Sequence, residues 1–312
     1  MRILVTGGAG FIGSHIVEHF AGKAEIKVLD NLRSGYKENL AGFDVEFIEG
    51  SITDAKAVEK AVEKAVKGVD YVFHLAAMIS VPESMDLPAE CVEINTIGLL
   101  NVLRSSADAG VKKLCLSSSA AIYGDNPTVP KVETMLPEPK SPYAVTKLDG
   151  EYYCKMFTDE GWLNTACMRY FNVFGPRQDP GSQYAAAVPI FIHKALRNEP
   201  ITIFGDGQQT RDFVFVKDIV AANVYLATND ELSGVYNVGY GKTITITELA
   251  ERIIKLANSK SEINYAPVRA GDVKHSWAKV DKIFEAGFKT QADFDSGLEK
   301  TIEFFKNKLQ QS

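Results

Sequence analysis

A glycine-rich turn near the N-terminus is the feature that most constrains the fold. The stretch TGGAGFIG follows a short apolar run at Ile3–Val5 and leads into a helical pattern at about 11–20. Its glycines Gly7, Gly10 and Gly13 recur every three residues. A turn this tight lets backbone N–H groups and the N-terminus of a helix contact a pyrophosphate. The turn therefore predicts a dinucleotide site at the end of a first parallel strand.

A glycine pattern alone is weak evidence, and an acidic residue downstream strengthens it. Asp30 ends the next predicted strand, 20 residues after Gly10, where a carboxylate can bind the ribose hydroxyls of the adenosine. The same carboxylate would repel a 2′-phosphate, so the sequence favours NAD over NADP as the cofactor. Arg33 lies close by in the sequence and leaves NADP open.

Strand and helix patterns alternate through the first half of the chain. Apolar β runs, among them VDYVFHLAA, VKKLCLSSS and NTACMRYFNVFG, are separated by helical stretches such as DAKAVEKAVEKAVKG and AECVEINTIGLLNVLRSSADAG. This rhythm predicts an α/β fold built on a doubly wound parallel Rossmann sheet. Beyond Gly175 short strands mix with helices. We therefore expect residues 1–175 to form an NAD-binding Rossmann domain and residues 176–312 a smaller α+β substrate lobe, interleaved with the first at its edges.

The composition is that of an ordinary globular protein of 312 residues. A net charge of −6 argues against a general nucleic-acid binder. The chain opens directly with the strand pattern MRILVTGG, and no apolar run approaches the ~20 residues that span a bilayer. We therefore expect a cytoplasmic protein with no signal peptide and no membrane partner. Cys115 and Cys167 lie in apolar strand patterns without disulfide-framework spacing, which predicts buried free thiols in a reducing compartment.

One metal-like motif overlaps the first helix. HIVEH, from His15 to His19, fits the H-x-x-E-H pattern of zinc peptidases. The same helix already serves the phosphate turn, no third ligand stands out, and the other histidines are scattered singly. We therefore expect no metal site, and we interpret both histidines as helix-surface residues.

A second motif, SPYAVTK, begins a later helix. Ser141 suits an N-cap and Pro142 the first helical position, so Tyr143 and Lys147 lie four residues apart on one helix face. Such a pair is either a lysine stem packed on an aromatic ring, or a phenol whose pKa is lowered by an ammonium group and which acts as a general base. The stretch LSSSAAIYG ends a parallel strand at the edge where open α/β sheets bind ligands. Ser119 and Tyr143 can therefore converge on one pocket.

Together these motifs resemble the extended short-chain dehydrogenase/reductase family. The resemblance rests on the glycine turn, Asp30-Asn31, HLAA, the serine run, Tyr143-x-x-x-Lys147 and RYFNVFGPRQ, and it runs nearly end to end. Within the family the chain is similar to nucleotide-sugar epimerases, most of all to UDP-hexose 4-epimerases that accept N-acetylhexosamines. The resemblance implies interconversion of UDP-Glc with UDP-Gal and of UDP-GlcNAc with UDP-GalNAc, with NAD tightly bound and recycled.

The resemblance also implies roles for three catalytic residues. Tyr143, as phenolate, would take the proton from the sugar 4-hydroxyl while hydride leaves C4 for NAD. The 4-keto sugar would then turn and take the hydride back on its other face. Lys147 would lower the pKa of Tyr143 and bind the nicotinamide ribose, and Ser119 would share the proton path.

Family contacts, carried over position by position, fall on two further sets of residues. The cofactor set is Gly7, Gly10, Phe11, Ile12, Gly13, Asp30, Asn31, Ser51, Ile52, Leu75, Ala76, Ala77, Asn95, Ser118, Tyr143, Lys147 and Tyr170. The UDP-sugar set is Ser119, Tyr143, Asn172, Val188, Thr202, Phe204, Arg211, Arg269, Asp272 and Ser276. At Ser51 the family usually has an aspartate, and a hydroxyl would contact the adenine edge more weakly than a carboxylate.

Other functions on the same scaffold remain open at this point. A sugar 4,6-dehydratase resembles this chain but carries Asp-Glu directly after the catalytic hydroxyl, and Ala120-Ala121 stand there instead. A UDP-uronate 4-epimerase or a nucleotide-sugar 4-reductase needs only the residues present. A non-catalytic NAD-binding sensor is the alternative from another class.

Two further expectations come from the resemblance. Family members form homodimers through two helices per subunit, which match about 89–108 and 143–159 here. In RAGDVKHSWAKVD, Ser276 falls where the family places a residue against the C2 substituent of the sugar. Serine is small, which implies room for an N-acetyl group. The alternative is that Ser276 merely continues a loop and other walls set the volume.

Overall fold

The computed structural model describes residues 1–54, 69–181, 186–268 and 273–311. The strands are β1 Arg2–Thr6, β2 Glu25–Asp30, β3 Glu46–Glu49, β4 Tyr71–His74, β5 Lys113–Ser119, β6 Asn164–Tyr170, β7 Asn172–Phe174, β8 Ile201–Phe204, β9 Thr210–Arg211, β10 Phe213–Phe215, β11 Gly234–Val238, β12 Ile244–Thr245, β13 Ile263–Ala266 and β14 His275–Ser276. The α-helices are α1 Phe11–Phe20, α2 Val81–Asp86, α3 Pro88–Val92, α4 Gly98–Asp108, α5 Pro142–Asp159, α6 Ala187–Leu196, α7 Val216–Thr228, α8 Ile246–Leu256, α9 Asp281–Glu285 and α10 Phe294–Gln311. Turns of 3-10 helix span Lys37–Leu40 and Ala120–Tyr123, and a π-helical segment, Glu93–Ile97, joins α3 to α4.

Seven parallel strands form the central sheet, in the order β11-β6-β5-β4-β1-β2-β3. This is the Rossmann order 3-2-1-4-5-6 with β11 added beside β6. The strand order reverses at β1, which lies between β2 and β4. In open α/β sheets the crevice outside the carboxyl ends of the strands at such a point binds ligands. The predicted α/β fold with a doubly wound parallel sheet is confirmed.

The strands of this sheet are buried on both faces. Ile3 and Val5 of β1 lie in the apolar cluster that includes residues of α1 and α7. Leu4, between them, lies in the cluster that includes residues of α4 and α5. Successive Cβ atoms of a strand point to opposite faces, so the side chains of β1 pack in two apolar clusters, one on each face of the sheet. A parallel strand covered on both sides needs a continuous apolar run, which is the pattern of β1.

The rest of the chain forms a smaller lobe around α6, α8 and α10, which share an apolar cluster containing Ile192, Leu249 and Leu298. Its strands form short sheets: β9 lies between β12 and β14, β13 pairs with β8, and β10 pairs with β7. Beyond residue 175, β11 joins the central sheet and α7 covers one of its faces. β11 pairs with β6 from Gly234 to Val238, and α7 packs against α1.

Some local predictions differ from the structure in instructive ways. The stretch expected to be one long helix from 89 to 110 is helical, but the π-helical segment interrupts it and turns Asn95 into the interior. Such π segments are common at functional sites. α7 was not predicted, because FVFVKDIVAANVYLAT is apolar nearly throughout and periodicity does not separate a strand from a buried helix there. The helix expected in DAKAVEKAVEKAVKG lies outside the described residues.

Two further predictions concern the cysteines and membrane-spanning segments. Cys91, Cys115, Cys154 and Cys167 are all free and buried, which confirms that the two strand cysteines, Cys115 and Cys167, are buried free thiols. Within the described ranges, no helix combines the length and the apolar character that a membrane span requires.

Candidate functional site

The glycine turn after β1 is packed tightly against the segment that follows β4. Gly7 has a φ of +70°, and a Cβ atom there would lie 2.7 Å from the amide nitrogen of Ala76. A Cβ atom at Gly13 would overlap the carbonyl oxygen of Gly7. Gly10 is the N-cap of α1 and has no side chain that could accept a hydrogen bond from the first N–H groups of the helix. The turn therefore leaves the first N–H groups of a helix to an external anion, and it fits the pyrophosphate of a dinucleotide.

Asp30 at the end of β2 holds this turn in place. Its Oδ2 accepts a hydrogen bond from the amide of Ala9 at 2.9 Å, and its Oδ1 accepts one from the amide of Leu32 at 2.8 Å. Burial raises the pKa of Asp30, and the two backbone hydrogen bonds oppose that rise. Each carboxylate oxygen has a further lone pair. Asp30 can therefore accept a hydrogen bond from a ribose hydroxyl while it holds the turn.

Most other predicted cofactor residues border the same edge of the sheet. Phe11 and Ile12 begin α1, Asn31 follows β2, Ser51 and Ile52 follow β3, and Leu75, Ala76 and Ala77 follow β4. The carbonyl oxygen of Ile52 accepts a hydrogen bond from Asn101 at 2.9 Å. The hydroxyl of Ser51 lies 2.8 Å from the hydroxyl of Thr53 and accepts from its amide at 3.2 Å. Ser51 is thus engaged in its own turn.

Three predicted cofactor residues use their polar groups inside the protein, and all three are buried. Asn95 accepts from the amide of Met78 at 2.8 Å and donates to its carbonyl oxygen at 3.0 Å. The hydroxyl of Tyr170 donates to Asn223 at 3.0 Å. The hydroxyl of Ser118 donates to Glu151 at 2.5 Å. These polar groups hold neighbouring segments together, a role that the resemblance did not imply.

Ser119 and Tyr143 come from two elements and meet at the carboxyl edge of β5. Ser119 is the last residue of β5, and its hydroxyl accepts from the amide of Ala121 at 3.1 Å. Tyr143 is the second residue of α5, which is capped by Ser141. Its amide donates to the hydroxyl of Ser84 on α2 at 3.2 Å. The hydroxyl of Ser119 lies close enough to the phenol of Tyr143 to lower its pKa.

Lys147 lies one turn further along α5 and is buried. Its ammonium is 5.7 Å from the centre of the Tyr143 ring and donates to the carbonyl oxygen of Ser117 at 2.8 Å. Burial lowers the pKa of Lys147 to about 8. Burial also raises the pKa of Tyr143, and the nearby hydroxyl of Ser119 opposes this rise. The protein groups alone thus shift the pKa of Tyr143 upward, opposite to the direction implied by the resemblance.

This upward shift has a physical reason and a consequence. Loss of solvation disfavours the phenolate more than the Ser119 hydroxyl favours it. The ammonium of Lys147 donates to the Ser117 carbonyl oxygen and is not among the groups that lower this pKa. A lowered pKa for Tyr143 therefore requires a further positive charge beside the phenol. The nicotinamide ring of an oxidised dinucleotide carries such a charge.

A buried network that was not identified from the sequence connects the elements carrying the catalytic group. Glu151 on α5 accepts two hydrogen bonds from Arg169 on β6, at 2.9 and 2.7 Å. Arg169 also donates to the hydroxyl of Tyr123 at 2.8 Å, and Tyr123 donates to Asn237 on β11 at 2.7 Å. Two sequence signals could have revealed it. Glu151 follows Lys147 by four residues on the same helix face, and Arg169 interrupts an apolar strand.

The predicted UDP-sugar residues lie mainly on the smaller lobe. Asn172 begins β7, Val188 is buried on α6, Thr202 and Phe204 lie on β8, and Arg211 on β9 stands in register with Ser276 on β14. Arg269 and Asp272 lie outside the described residues. The structure therefore brings Arg211 and Ser276 side by side on adjacent strands.

Asp212 is a further residue that was not identified from the sequence. Its fully buried carboxylate accepts from the amides of Tyr240 at 2.7 Å, Gly241 at 3.0 Å and Ala278 at 3.1 Å. Its own amide donates to the carbonyl oxygen of Ser276 at 3.1 Å. Asp212 therefore fixes the strand that carries Ser276. The sequence signal for it was an acidic residue next to the apolar run of TRDFVFV. An acid buried at such a position needs several hydrogen-bond donors around it, which marks it as a structural residue.

The histidine of the zinc-like motif has a structural environment. His15 is buried, with Nε2 2.9 Å from the carbonyl oxygen of Pro176 and Nδ1 3.2 Å from Glu18. Glu18 in turn pairs with Arg177 at 2.6 Å and Lys217 at 2.7 Å. The interpretation of His15 as a helix-surface residue is wrong, because this face of α1 packs against the segment after β7. In the part of the chain that the structure describes, no cluster of three His, Cys, Asp or Glu side chains could hold a metal ion.

The sheet order, the uncapped glycine turn and the Ser119–Tyr143–Lys147 group together define a short-chain dehydrogenase/reductase-type fold and site. Comparison with known families narrows the class. Residues 3–239 match the NAD dependent epimerase/dehydratase family. The chain belongs to this family.

Solved structures that are similar over nearly the whole chain include three 4-epimerases. UDP-N-acetylglucosamine 4-epimerase from Methanobrevibacter ruminantium, in complex with UDP-N-acetylmuramic acid, is 40% identical with a TM-score of 0.94 and covers 98% of each chain. UDP-glucose 4-epimerase from Thermotoga maritima, with UDP-glucose, is 41% identical with a TM-score of 0.93 and covers 99% of this chain and 100% of the other. UDP-glucose 4-epimerase from Thermus thermophilus, in complex with NAD, is 37% identical with a TM-score of 0.90 and covers 98% of this chain and 99% of the other.

Proposed function

We propose that the protein is a UDP-hexose 4-epimerase that interconverts UDP-Glc with UDP-Gal and UDP-GlcNAc with UDP-GalNAc through a 4-keto intermediate. The observation that carries the proposal is the convergence of Ser119 and Tyr143 at the carboxyl edge of the sheet, with the ammonium of Lys147 5.7 Å from the centre of the Tyr143 ring. The similar 4-epimerase structures were solved with UDP-glucose, UDP-N-acetylmuramic acid or NAD, which supports a UDP-sugar as substrate.

Each catalytic residue has a defined task in this proposal. NAD, when bound, supplies the hydride acceptor and donor at the sugar C4. The phenolic oxygen of Tyr143 takes the proton of the 4-hydroxyl and later returns it. Ser119, whose hydroxyl lies beside the phenol, orients it and shares the proton path. Lys147 keeps a positive charge beside the ring, where it favours the phenolate over the phenol.

The smaller lobe supplies the UDP-sugar contacts in this proposal. Arg211 and Arg269 would bind the diphosphate, since a guanidinium matches the geometry of phosphate oxygens. Asp272 would bind the ribose hydroxyls, and Asn172, Val188, Thr202 and Phe204 would line the rest of the site. Residues 1–175 would bind NAD and residues 176–312 the UDP-sugar, with α7 and β11 packed on the first unit.

The alternatives differ in what the site must contain. A 4,6-dehydratase would need an acid and a base after Ser119, and the two residues there are Ala120 and Ala121. A non-catalytic NAD-binding sensor could dispense with Ser119, Tyr143 and Lys147, and this chain has all three. A UDP-uronate 4-epimerase and a 4-reductase share every residue named above, so the products must separate them.

The deciding experiment is incubation of the purified protein with UDP-Glc, UDP-GlcNAc and UDP-GlcA in turn, without added nicotinamide nucleotide, followed by NMR of the products. The proposal expects the 4-epimers of the first two sugars at equilibrium. Product formed only in a parallel incubation with stoichiometric reduced nucleotide would indicate a reductase. Conversion of UDP-GlcA alone would indicate a uronate epimerase, and absence of any product with or without reduced nucleotide would refute catalysis on these sugars.

The proposed oligomer is a homodimer formed through α4 and α5 and the residues before α4. Exposed apolar side chains on these elements support this surface: Val92, Ile97, Val145, Tyr152 and Met156. Leu103, by contrast, is buried against the sheet. We place the protein in the cytoplasm, which its four buried free thiols support.

A further inference from the structure

The loop after Asp30 carries an arginine whose guanidinium is held by two carboxylates. Arg33 donates through Nη2 to Glu83 on α2 at 2.9 Å and through Nη1 to Glu90 on α3. The three side chains are 36%, 34% and 39% exposed. They therefore form a cluster at the rim of the predicted cofactor site, where charges are only partly screened by solvent.

The backbone keeps Arg33 close to the acid that is predicted to bind the ribose. Leu32, with a φ of +59°, donates its amide to Asp30, and Arg33 donates its amide to Asn31 Oδ1 at 3.1 Å. These hydrogen bonds fold residues 30–33 into a tight turn. In dinucleotide-binding folds, an arginine near this acid is the group that accommodates the 2′-phosphate of NADP. This is the reason why the sequence leaves NADP open.

The charges at this rim oppose a 2′-phosphate. Arg33 contributes one positive charge, while Glu83 and Glu90 contribute two negative ones, and Asp30 adds a third. The next cation along the loop, Lys37, is itself paired with a carboxylate, Glu49, at 3.5 Å. A 2′-phosphate would therefore meet a net negative rim, and it would have to compete with two carboxylates for one guanidinium.

We propose that Glu83 and Glu90 are specificity-determining residues, which exclude NADP by withdrawing Arg33 from the 2′ position of the adenosine ribose. Asp30 provides the direct repulsion, and the two glutamates remove the cation that could offset it. This inference needs only dinucleotide binding, so it can fail or succeed independently of the proposed epimerase reaction.

The test is a competition for occupancy of the purified full-length protein. Wild type and variants are held with equal excess concentrations of NAD and NADP until the bound ratio no longer changes. Free nucleotide is removed by gel filtration, and bound nucleotide is released by denaturation and quantified by chromatography. The Glu83→Gln/Glu90→Gln variant should raise the NADP:NAD ratio about tenfold, the factor that one charge-assisted hydrogen bond supplies.

Two controls separate a released arginine from a general change in the field. Adding Arg33→Met to the double variant should return the NADP:NAD ratio to within about twofold of the wild-type ratio. A twofold difference is smaller than the effect of one charge-assisted hydrogen bond. Glu49 lies on the neighbouring strand β3 and forms an exposed pair with Lys37. Glu49→Gln breaks that pair and should leave the NADP:NAD ratio unchanged. An unchanged ratio in the double variant would overturn the proposal, as would an increase that survives the loss of Arg33.

Discussion

Glu151 and Arg169 form a bidentate ion pair in the interior of the protein, with side chains 4% and 5% exposed. Glu151 belongs to the helix that carries Tyr143 and Lys147, and Arg169 precedes Tyr170 on β6. The pair fastens this helix to the sheet beside the end of β5, where Ser118 also donates to Glu151. A buried pair of this kind holds a geometry more than it adds net stability, because both ions lose their hydration.

The first prediction concerns this pair. Glu151→Gln should lower the free energy of unfolding by about 3–5 kcal/mol, because Arg169 would stay buried without its counter-charge. Urea unfolding measures the change. Asp159→Asn is the matched control, since it breaks an exposed pair with Lys155 on the same helix and should cost less than about 1 kcal/mol. Equal effects of the two substitutions would show that the buried pair has no special role.

A second prediction tests the proposed base. Tyr143→Phe keeps the ring but removes the proton acceptor, so turnover should fall by about 10²–10⁴-fold while NAD remains bound. Product formation and the nucleotide released on denaturation measure the two properties. Tyr152→Phe, at an exposed site on the same helix, should change neither. Loss of a general base should leave about 1% of the activity or less. If Tyr143→Phe retains more than about a tenth, Tyr143 is not the base.

Lys147 should make stability depend on pH. Its pKa in the folded protein, about 8, lies below the ordinary value of 10.5. The unfolded chain therefore binds the proton more tightly, and the cost of the buried ammonium is complete below pH 8 and disappears as the pH rises toward 10.5.

Lys147→Met removes that cost together with the hydrogen bond to Ser117. The variant should gain about 2 kcal/mol at pH 7, which is roughly 3 for the charge less roughly 1 for the hydrogen bond. The gain should shrink above pH 8, where wild-type Lys147 loses its proton. Urea unfolding of nucleotide-free protein at pH about 7 and about 9.5 measures both effects. Lys155→Met, at an exposed site, provides the baseline, and a gain independent of pH would contradict the assignment.

The fourth prediction concerns the size of the sugar. Ser276→Tyr should force a ring into space that an N-acetyl group fills, at a cost of roughly 1–3 kcal/mol. kcat/KM for UDP-GlcNAc should therefore fall about 5- to 150-fold relative to UDP-Glc. Ser276→Ala changes little volume and should keep the ratio. An unchanged ratio in Ser276→Tyr would mean that other walls set the volume.

The final prediction is the dimer. Sedimentation at micromolar concentration should give twice the chain mass of 34.2 kDa. Tyr152→Glu/Met156→Glu should reduce it to the mass of one chain, because charges would enter an apolar interface. Trp162→Glu, at an exposed site beyond the end of α5, should leave the dimer intact. A single-chain mass for the wild type would rule the dimer out.

Local physics let the sequence by itself determine several parts of this protein. The spacing of Gly7, Gly10 and Gly13 between an apolar strand and a helical pattern predicts a tight turn there. Continuous apolar runs specify strands buried on both faces, and alternation with helices specifies their parallel arrangement. Ser141 and Pro142 start a helix, and the four-residue spacing then puts Tyr143 and Lys147 on one face.

Tertiary structure alone decided the features that depend on residues distant in the chain. Arg33 is paired with Glu83 and Glu90, 50 and 57 residues away, which no local pattern predicts. β11 joins the central sheet because its backbone pairs with that of β6 from Gly234 to Val238, a contact between segments far apart in the sequence. The pKa of Tyr143 shifts upward because it depends on every group packed around the phenol. Burial and charge pairing are sums over all neighbours in space, whereas periodicity reports only neighbours along the chain.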